Sequence, residues 1–319
     1  MTKSDVTEPS VAQYLNPITL YFAATRPAFL LATLSAYFLG LVGAVYSGVN
    51  FRAETAILGV LLALLVHAGV NVLNDYFDAL NGTDAQNTER LYPYTGGSRF
   101  IQNGVLTTQQ TANFAYLLLF IATLGGLYLS WLVGKGLLAI GVIGVIGVLI
   151  GWAYSAPPLR LNSRGLGELC VTVGFIGITI GADFVQRRSF SMQPLIIGMP
   201  YALLVTNLLY INQFPDCKAD ALAGKHHLVV RLPLAQAVLI YPLLLALAFF
   251  WLVFFVYVKA LPVLALLCAL PLLFSVRASW LLHQFALKPA QLLSAIKLTL
   301  AAMLSHALLL ALVMLWEMQ

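Results

Sequence analysis

The chain has 319 residues, of which 61% are hydrophobic and 9% are charged, and its mean hydropathy is +0.89. Soluble domains are about half apolar and about a quarter charged, so this composition excludes a soluble enzyme and indicates a polytopic helical membrane protein. The net charge of +5 reflects a scarcity of acids rather than a dense basic surface, which excludes a nucleic-acid partner.

Nine apolar segments reach the length of about 20 residues that a helix needs to cross a bilayer. They lie at 25–46, 54–80, 110–133, 136–154, 166–186, 193–214, 234–258, 260–283 and 291–316. The polar N-terminal tail, 1–17, is expected to carry no cleavable signal peptide. The sequence therefore predicts an all-α protein with about nine transmembrane helices, embedded in the lipid bilayer as a single domain over 1–319.

Lysine and arginine are unevenly shared between the two sides of these spans. One side carries eleven, which are Lys3, Arg26, Arg90, Arg99, Arg160, Arg164, Lys218, Lys225, Arg231, Arg277 and Lys288. The other side carries five, which are Arg52, Lys135, Arg187, Arg188 and Lys259. Because cytoplasmic loops are enriched in Lys and Arg, this bias predicts a cytoplasmic N-terminus, cytoplasmic loops at 81–109, 155–165 and 215–233, and an external C-terminus.

Aspartates gather at two predicted span ends on that same side. One group shares a helix face at the end of the second span and consists of Asn71, Asn74, Asp75 and Asp78, with Asp84 in the loop beyond. The other group, Asp216 and Asp220, closes the sixth span. An acid inside a bilayer costs roughly 2.5–3.5 kcal/mol, so such residues usually face a protein cavity and have a function. Carboxylates with few His or Cys neighbours suit Mg²⁺, which is commonly held by one or two carboxylates and by substrate phosphates.

Basic residues surround these acids on the same predicted side. They stand in three segments, 96–99, 154–164 and 224–231. Each residue alone is also compatible with a simple topology signal, but acids for Mg²⁺ beside Arg and Lys for oxyanions are typical of diphosphate chemistry. His226 and His227, in the third segment, are interpreted as loop residues.

Four segments, in this order along the chain, resemble the motifs of the UbiA-type intramembrane prenyltransferases. Thr25-Arg26-Pro27 resembles the opening of their first helix, and Asn71-x-x-Asn74-Asp75-x-x-Asp78 with Asp84 resembles their first acidic motif. Tyr154-Ser155-x-Pro157-Pro158-x-Arg160 and Arg164-Gly165-Leu166-Gly167-Glu168 resemble the intervening segment. Asp216-x-x-x-Asp220 with Gly224-Lys225 and Val230-Arg231-Leu232 resembles the second acidic motif.

Within that family, the segments at 74–84, 97–106 and 224–231 are most similar to the MenA branch, which prenylates 1,4-dihydroxy-2-naphthoate on the menaquinone route. The segment 154–160 is more similar to the 4-hydroxybenzoate, haem O and chlorophyll branches. Phe214-Pro215 also stands where the MenA pattern often has a basic residue. A naphthoate acceptor is therefore the first hypothesis, and 4-hydroxybenzoate, homogentisate or haem is the alternative.

The resemblance implies a fold, a reaction and a set of site residues. The fold is a ring of helices around a central cavity in a bacterial inner membrane, and the substrates are a polyprenyl diphosphate and an aromatic acceptor. Two Mg²⁺ ions would be held, one by Asp75, Asp78 and Asp84 and one by Asp216 and Asp220. The diphosphate would contact Arg26, Asn71, Asn74, Arg99, Tyr154, Arg160 and Lys225. A carboxylate free of metal, such as Asp84, is a candidate base for the acceptor's proton.

Three other classes of membrane protein fit the sequence less well. A phosphatidyltransferase that uses CDP-alcohols also has paired aspartates, but its Asp-Gly-x-x-Ala-Arg signature is missing. An ion-coupled transporter usually carries its charged residues near the midplane and often shows repeated halves. A non-catalytic membrane protein that binds a partner does not account for polar residues aligned on two distant spans.

Overall fold

The computed structural model describes residues 7–134 and 137–319, and the regular structure of these residues is helical, with no strand among them. The α-helices are α1 (Pro17–Ala24), α2 (Pro27–Tyr46), α3 (Ala53–Asn81), α4 (Thr83–Gln86), α5 (Thr108–Val133), α6 (Leu137–Ser155), α7 (Gly167–Arg187), α8 (Gln193–Leu222), α9 (Leu228–Arg231), α10 (Leu234–Tyr257), α11 (Leu272–Phe285) and α12 (Leu293–Trp316). Several sequence-based assignments lie outside the described residues: Lys3, Lys135, residue 136 at the start of the fourth span, and the first six residues of the polar tail.

Eight helices in the described residues are long and apolar enough to cross a membrane, and the protein is an integral membrane protein with the predicted all-α fold. The predicted ninth span corresponds to α6, whose 19 residues are mostly apolar as well. At 1.5 Å per residue, α6 extends about 28 Å, close to the hydrocarbon core of about 30 Å. The nine predicted spans and the eight counted among the described residues therefore differ only at α6.

Two predicted boundaries need correction. The span predicted at 193–214 continues as helix to Leu222, because Pro215 lies inside α8 without ending it, so both Asp216 and Asp220 are helical. The span predicted at 260–283 is not one continuous α-helix. It starts as a 3₁₀ helix, Val263–Ala269, and becomes α-helical only after Pro271, which has no N–H to continue the earlier hydrogen bonds.

The long helices pack in a ring. Neighbouring pairs include α3 with α5, α5 with α6, α6 with α7, α7 with α8, and α8 with α10, while α12 packs on α11, α8 and α2 and closes the circuit. The pair α2 and α7 approach closely because Gly40 lies against Thr179 and Ala182, where a Cβ atom would collide with both residues. Small residues allow such approaches in membranes, where hydrophobicity does not drive helices together.

Candidate active site

The first acidic group lies on α3 as the sequence spacing predicts. Asp75 and Asp78 are both buried. Asp75 Oδ1 accepts a hydrogen bond of 3.2 Å from the backbone N–H of Ser98 and lies 3.9 Å from Nη1 of Arg26. The Asp75 carboxylate is therefore bonded to a residue from a loop far along the chain, and a guanidinium stands near it.

Asp84 is brought back beside these two acids by a turn. Gly82 ends α3 with φ +80°, a left-handed conformation that glycine adopts without strain, and α4 then carries Asp84. The Asp84 carboxylate packs on the Cα atom of Gly97, and the Arg99 guanidinium donates to the Asp84 backbone carbonyl. Burial, together with the carboxylates of Asp78 and Asp75, raises the pKa of Asp84 well above its ordinary value. The three acids therefore form one electrostatic group.

The second acidic group lies on α8 and is also held by hydrogen-bond donors. Asp216 accepts from Nδ2 of Asn87 at 2.6 Å and from the backbone N–H of Gly96 at 3.3 Å. Asp220 is buried, and its Oδ2 lies 3.0 Å from Nε2 of His227. His227, interpreted from sequence as a loop residue, is thus itself buried against this acid.

Lys225 joins the two acidic groups. Its Nζ lies 2.7 Å from Oδ1 of Asp78 on α3 and 3.4 Å from Oδ1 of Asp220 on α8. Burial alone would lower the pKa of Lys225, but the two carboxylates outweigh burial and raise it. The two groups, distant in sequence, therefore meet across a buried ammonium ion.

Residues 87–107, which we call the shared loop, contact both groups. Asn87 and Gly96 donate to Asp216, and Ser98 donates to Asp75. Glu8, in the segment before α1, also binds the shared loop: its Oε1 accepts a hydrogen bond of 2.7 Å from Nε of Arg90. The other oxygen of Glu8 accepts from Nδ2 of Asn103 at 3.2 Å and lies 3.7 Å from Nε of Arg99. A segment before the first helix therefore helps to position a loop between the two acidic groups.

The residues predicted to bind diphosphate do not all point to one place. Asn71 donates to the backbone carbonyl of Thr25 at 3.1 Å, and Asn74 donates to Oγ of Ser155 at 2.9 Å. The Tyr154 phenol interacts electrostatically with Lys225 and Asp78. Four of these residues are brought to the acidic groups by contact or electrostatics, and they are Arg26, Arg99, Tyr154 and Lys225.

Arg99 and Arg160 differ in their surroundings. The Arg99 guanidinium is 7% exposed and is engaged by Glu8 and by the Asp84 carbonyl. Arg160 is exposed and forms no ion pair within the described residues. Arg26, Arg99 and Arg160 share a left-handed backbone, with φ of 59°, 68° and 44°. Such a conformation costs a non-glycine residue about 1–3 kcal/mol and occurs often at functional sites.

Five side chains near the acidic groups are only partly buried, although most of them contact a neighbouring helix: His67, Asn71, Asn74, Tyr154 and Phe175. Their partial exposure indicates space between the helices. His67 Nδ1 lies 2.7 Å from Oγ1 of Thr33 on α2, and its ring meets the Phe175 ring of α7 edge-on at 5.9 Å. We call the volume between these five side chains the central space.

The donor set fits a hard divalent cation. In the part of the chain that the structure describes, no three His, Cys, Asp or Glu side chains converge on one metal position. Mg²⁺ does not require such a cluster, because it usually keeps water and takes one or two carboxylates together with substrate phosphates. Five acidic side chains surround Lys225 and Arg26, so negative charge is in excess there.

Some residues of the site carry no signal in the sequence. The backbone N–H groups of Gly96 and Ser98 contact the acids, and such backbone contacts cannot be predicted from the type of side chain. Asn87 and Glu8 lie in polar segments that look like ordinary loop and tail. Only His227 could have been singled out, because it stands two residues after Lys225.

Comparison with known proteins gives consistent matches. The profile of the UbiA prenyltransferase family matches residues 29–300. A 2-carboxy-1,4-naphthoquinone phytyltransferase from Synechocystis is 27% identical over 73% of this chain and 71% of its own length. A 1,4-dihydroxy-2-naphthoate octaprenyltransferase from Bacillus subtilis is 28% identical over 72% of this chain and 71% of its own. The solved structure of a UbiA homolog from Archaeoglobus fulgidus bound to DMAPP and Mg²⁺ has the same fold, with a TM-score of 0.64 and 16% identity over 90% of this chain and 98% of that chain.

Proposed function

Because the chain belongs to the UbiA prenyltransferase family, we propose that it transfers a polyprenyl group from a polyprenyl diphosphate to an aromatic acceptor, with Mg²⁺ as cofactor. The observation that carries this proposal is the meeting of Asp78 and Asp220 across Lys225. Two acidic groups and a buried ammonium ion in one place suit a diphosphate substrate that binds together with divalent cations.

The acids have a defined task in this proposal. Asp75, Asp78 and Asp84 hold one Mg²⁺ ion, and Asp216 and Asp220 hold the second. Bound Mg²⁺ supplies positive charge that stabilises the negative charge developing on the leaving diphosphate. His227 and Asn87, which bond to Asp220 and Asp216, orient those carboxylates.

The basic and polar side chains bind the diphosphate oxygens that the metal ions leave free. Fixed cations aimed at developing charge stabilise the transition state for breaking the allylic C–O bond. Lys225, already buried at the junction, is the foremost of them, and exposed Arg160 has its guanidinium free of ion pairs with described residues. The full set is Arg26, Asn71, Asn74, Arg99, Tyr154, Arg160 and Lys225.

Water must be kept from the allylic cation that remains after diphosphate leaves. The central space lies between α2, α3, α6 and α7 and is bordered by Phe175 and His67. When both substrates fill this space, it would exclude water and favour attack by the aromatic ring. The ring of helices thereby supplies the chamber, and the acidic groups at its end supply the leaving-group chemistry.

The proposed acceptor is 1,4-dihydroxy-2-naphthoate, on the route to menaquinone. Its support is the similarity of segments 74–84, 97–106 and 224–231 to the naphthoate branch, together with the names of the relatives from Synechocystis and Bacillus subtilis. We place the chain in a bacterial inner membrane with the shared loop in the cytoplasm, as the bias in Lys and Arg predicts.

A panel of acceptors tests this function. Purified protein in lipid bilayers is given octaprenyl diphosphate, with Mg²⁺ or with EDTA, and one acceptor from dihydroxynaphthoate, 4-hydroxybenzoate, homogentisate and haem. We expect transfer only with Mg²⁺ and the highest kcat/KM for dihydroxynaphthoate. A higher kcat/KM for 4-hydroxybenzoate would contradict the acceptor but keep prenyl transfer, and no transfer to any acceptor would contradict the function.

A further inference from the structure

Another buried carboxylate lies outside both acidic groups. Glu168, in the first turn of α7, is 8% exposed. Its Oε1 accepts a hydrogen bond of 2.7 Å from Nε2 of Gln213 on α8. Its other oxygen, Oε2, is buried without a hydrogen-bond partner, and so is Oε1 of Gln213. Two neighbouring residues thus each keep a buried acceptor oxygen that no donor satisfies.

Such orphan oxygens are costly. A buried polar group without a partner loses about 1–3 kcal/mol of hydration that nothing replaces, and the loss is larger for a charged group. In the described residues Glu168 forms no ion pair, so the cost is not offset by a nearby cation. The N-terminus of α7 favours a negative charge at this position. Oε2 of Glu168 is therefore a buried acceptor that no donor among the described residues satisfies.

Glu168 lies close to Tyr154, one of the five residues that define the central space, since a Cβ atom on the adjacent Gly167 would contact the Tyr154 ring. The Tyr154 phenol interacts electrostatically with Glu168 as well as with Lys225 and Asp78. Along α7, Thr172 lies one turn beyond Glu168 and donates to its backbone carbonyl, while its hydroxyl also contacts Thr206 of α8. Phe175, on the next turn, meets the His67 ring inside the space. Glu168 therefore shares one face of α7 with Thr172 and Phe175, and this face is close to Tyr154.

We propose that Glu168 accepts the hydroxyl proton of the aromatic acceptor, with Gln213 as a positioning residue; this inference rests on the proposed prenyl transfer. The unpaired oxygens require a ligand that brings hydrogen-bond donors, and a hydroxylated aromatic ring is such a ligand. A diphosphate, which offers only acceptors and negative charge, does not match them.

Electrons of the ring form a C–C bond to the allylic carbon, and the C–O bond to diphosphate breaks with its electron pair leaving on diphosphate. The hydroxyl proton passes to Oε2 of Glu168, and the hydroxyl oxygen becomes a carbonyl oxygen. The alkylated carbon then loses a proton to solvent or, in a carboxylated ring, loses carbon dioxide, and the electron pair left behind restores the aromatic ring. The former carbonyl oxygen takes the proton back from Glu168, which regenerates both the hydroxyl and the carboxylate.

Asp84, the base suggested by the sequence, is less suited to this task. Its carboxylate packs on Gly97 and belongs electrostatically to Asp75 and Asp78. A bound divalent cation would neutralise that group. Glu168 lies outside the group, and its Oε2 has no hydrogen-bond partner.

Glu168→Gln tests the inference, because glutamine keeps the size of the side chain but cannot accept the proton. Octaprenyl diphosphate with Mg²⁺ should protect E168Q from thermal unfolding as it protects wild type. Transfer to dihydroxynaphthoate should fall by about 10²–10⁴, the usual contribution of a general base. With a fluorinated dihydroxynaphthoate, assayed at a pH above the pKa of its hydroxyl, the loss should shrink at least tenfold.

Controls separate this inference from folding and from the function itself. Glu54→Gln removes an exposed carboxylate and should leave transfer unchanged. E168Q within threefold of wild type, or an equal loss with both acceptors, contradicts the role of Glu168. Wild type that binds prenyl diphosphate but alkylates neither ring overturns both proposals. If E168Q does not fold, Glu168→Asp replaces it, and there too an equal loss with both acceptors contradicts the role.

Discussion

At the residue scale, Gly97 shows how tightly the shared loop fits the first acidic group. Gly97 and Gly104 both have a left-handed backbone, with φ of 73° and 67°. A Cβ atom on Gly97 would collide with the Asp84 carboxylate, whereas one on Gly104 would meet nothing within 4 Å. Alanine at either position introduces backbone strain that destabilises the protein by more than about 0.4–1 kcal/mol. Only Gly97→Ala also displaces Asp84. We expect G97A to transfer prenyl groups at least about tenfold more slowly than G104A, which corresponds to about 1.4 kcal/mol.

G104A is the control in that comparison because it carries the same type of strain in the same loop. Thermal unfolding of both variants is measured to check that they are folded to the same extent. Equal transfer rates for the two variants would show that the position of Asp84 does not matter for turnover.

Lys225 should stabilise the protein most when no metal is bound. Removing one partner of a buried ion pair leaves an uncompensated charge and typically costs about 3–5 kcal/mol. Lys225→Met should therefore lower the unfolding temperature in EDTA, and Mg²⁺ with prenyl diphosphate should restore part of the loss by bringing new cations to Asp78 and Asp220. The measurement is thermal unfolding of purified protein in both conditions.

Lys218→Met provides the comparison, because Lys218 pairs with Glu89 on the surface and its side chain is 76% exposed. Exposed pairs contribute about 0–1 kcal/mol. If K225M and K218M unfold at the same temperature in EDTA, the ammonium does not hold the two acidic groups together.

The residues that sequence reasoning found and those it missed differ in a physical way. Asp75 and Asp78, like Asp216 and Asp220, are visible because a helix repeats its faces every three to four residues and because acids are rare in apolar spans. The donors to them, such as the N–H of Ser98, act through backbone atoms that every residue has. Contacts between distant segments of this kind follow from the tertiary fold and have no local pattern.

At the scale of elements, the N-terminal segment and the shared loop act as a pair. Burial alone would raise the pKa of Glu8, but hydrogen bonds from Arg90 and Asn103 outweigh it and lower the pKa. Glu8 therefore stabilises the docked loop above its ordinary pKa of about 4.5, and this contribution is lost only as the pH falls below that value. Glu8→Gln weakens the same contacts at neutral pH.

We expect E8Q to show faster hydrogen exchange in residues 87–107 and a higher KM for prenyl diphosphate, of the order of threefold to tenfold. Exchange measured by mass spectrometry, beside steady-state kinetics, checks both. E317Q, which removes an exposed carboxylate near the C-terminus, is the matched control. Unchanged exchange in the shared loop would mean that the N-terminal segment does not position it.

Hydropathy located the long elements well and their ends less well. It stopped α8 at residue 214 because polar residues follow, although the helix continues to Leu222 and carries both acids of the second group. Polar residues end an apolar run without ending a helix when other segments satisfy them, as Asn87 and Lys225 do here. Hydropathy also omitted the short helices α1, α4 and α9; α1 begins at Pro17, where the Asn16 side chain accepts a hydrogen bond from the backbone N–H of Ile18.

At the scale of the whole molecule, both acidic groups and the shared loop should lie in the cytoplasm. We expect a cysteine at position 222, where Leu222 is 75% exposed, to resist a membrane-impermeant thiol reagent added to intact cells. A cysteine in place of exposed Ser189, between α7 and α8, should react. The background is a variant without Cys170, Cys217 and Cys268, and permeabilised cells confirm that position 222 is reactive. Labelling at 222 in intact cells would reverse the proposed orientation.

The central claim is that the two acidic groups act together on one prenyl diphosphate. It is tested most directly by Mg²⁺-dependent transfer from octaprenyl diphosphate by Asp78→Asn and Asp220→Asn, each compared with Asp183→Asn. Asp183 is also buried, but it pairs with Arg187 near the end of α7 remote from Glu168. Loss of a group that stabilises transition-state charge typically costs about 10²–10³ in rate. The account predicts that loss for both D78N and D220N, per folded protein, and near-normal turnover for D183N; turnover by D78N and D220N within threefold of wild type would contradict it.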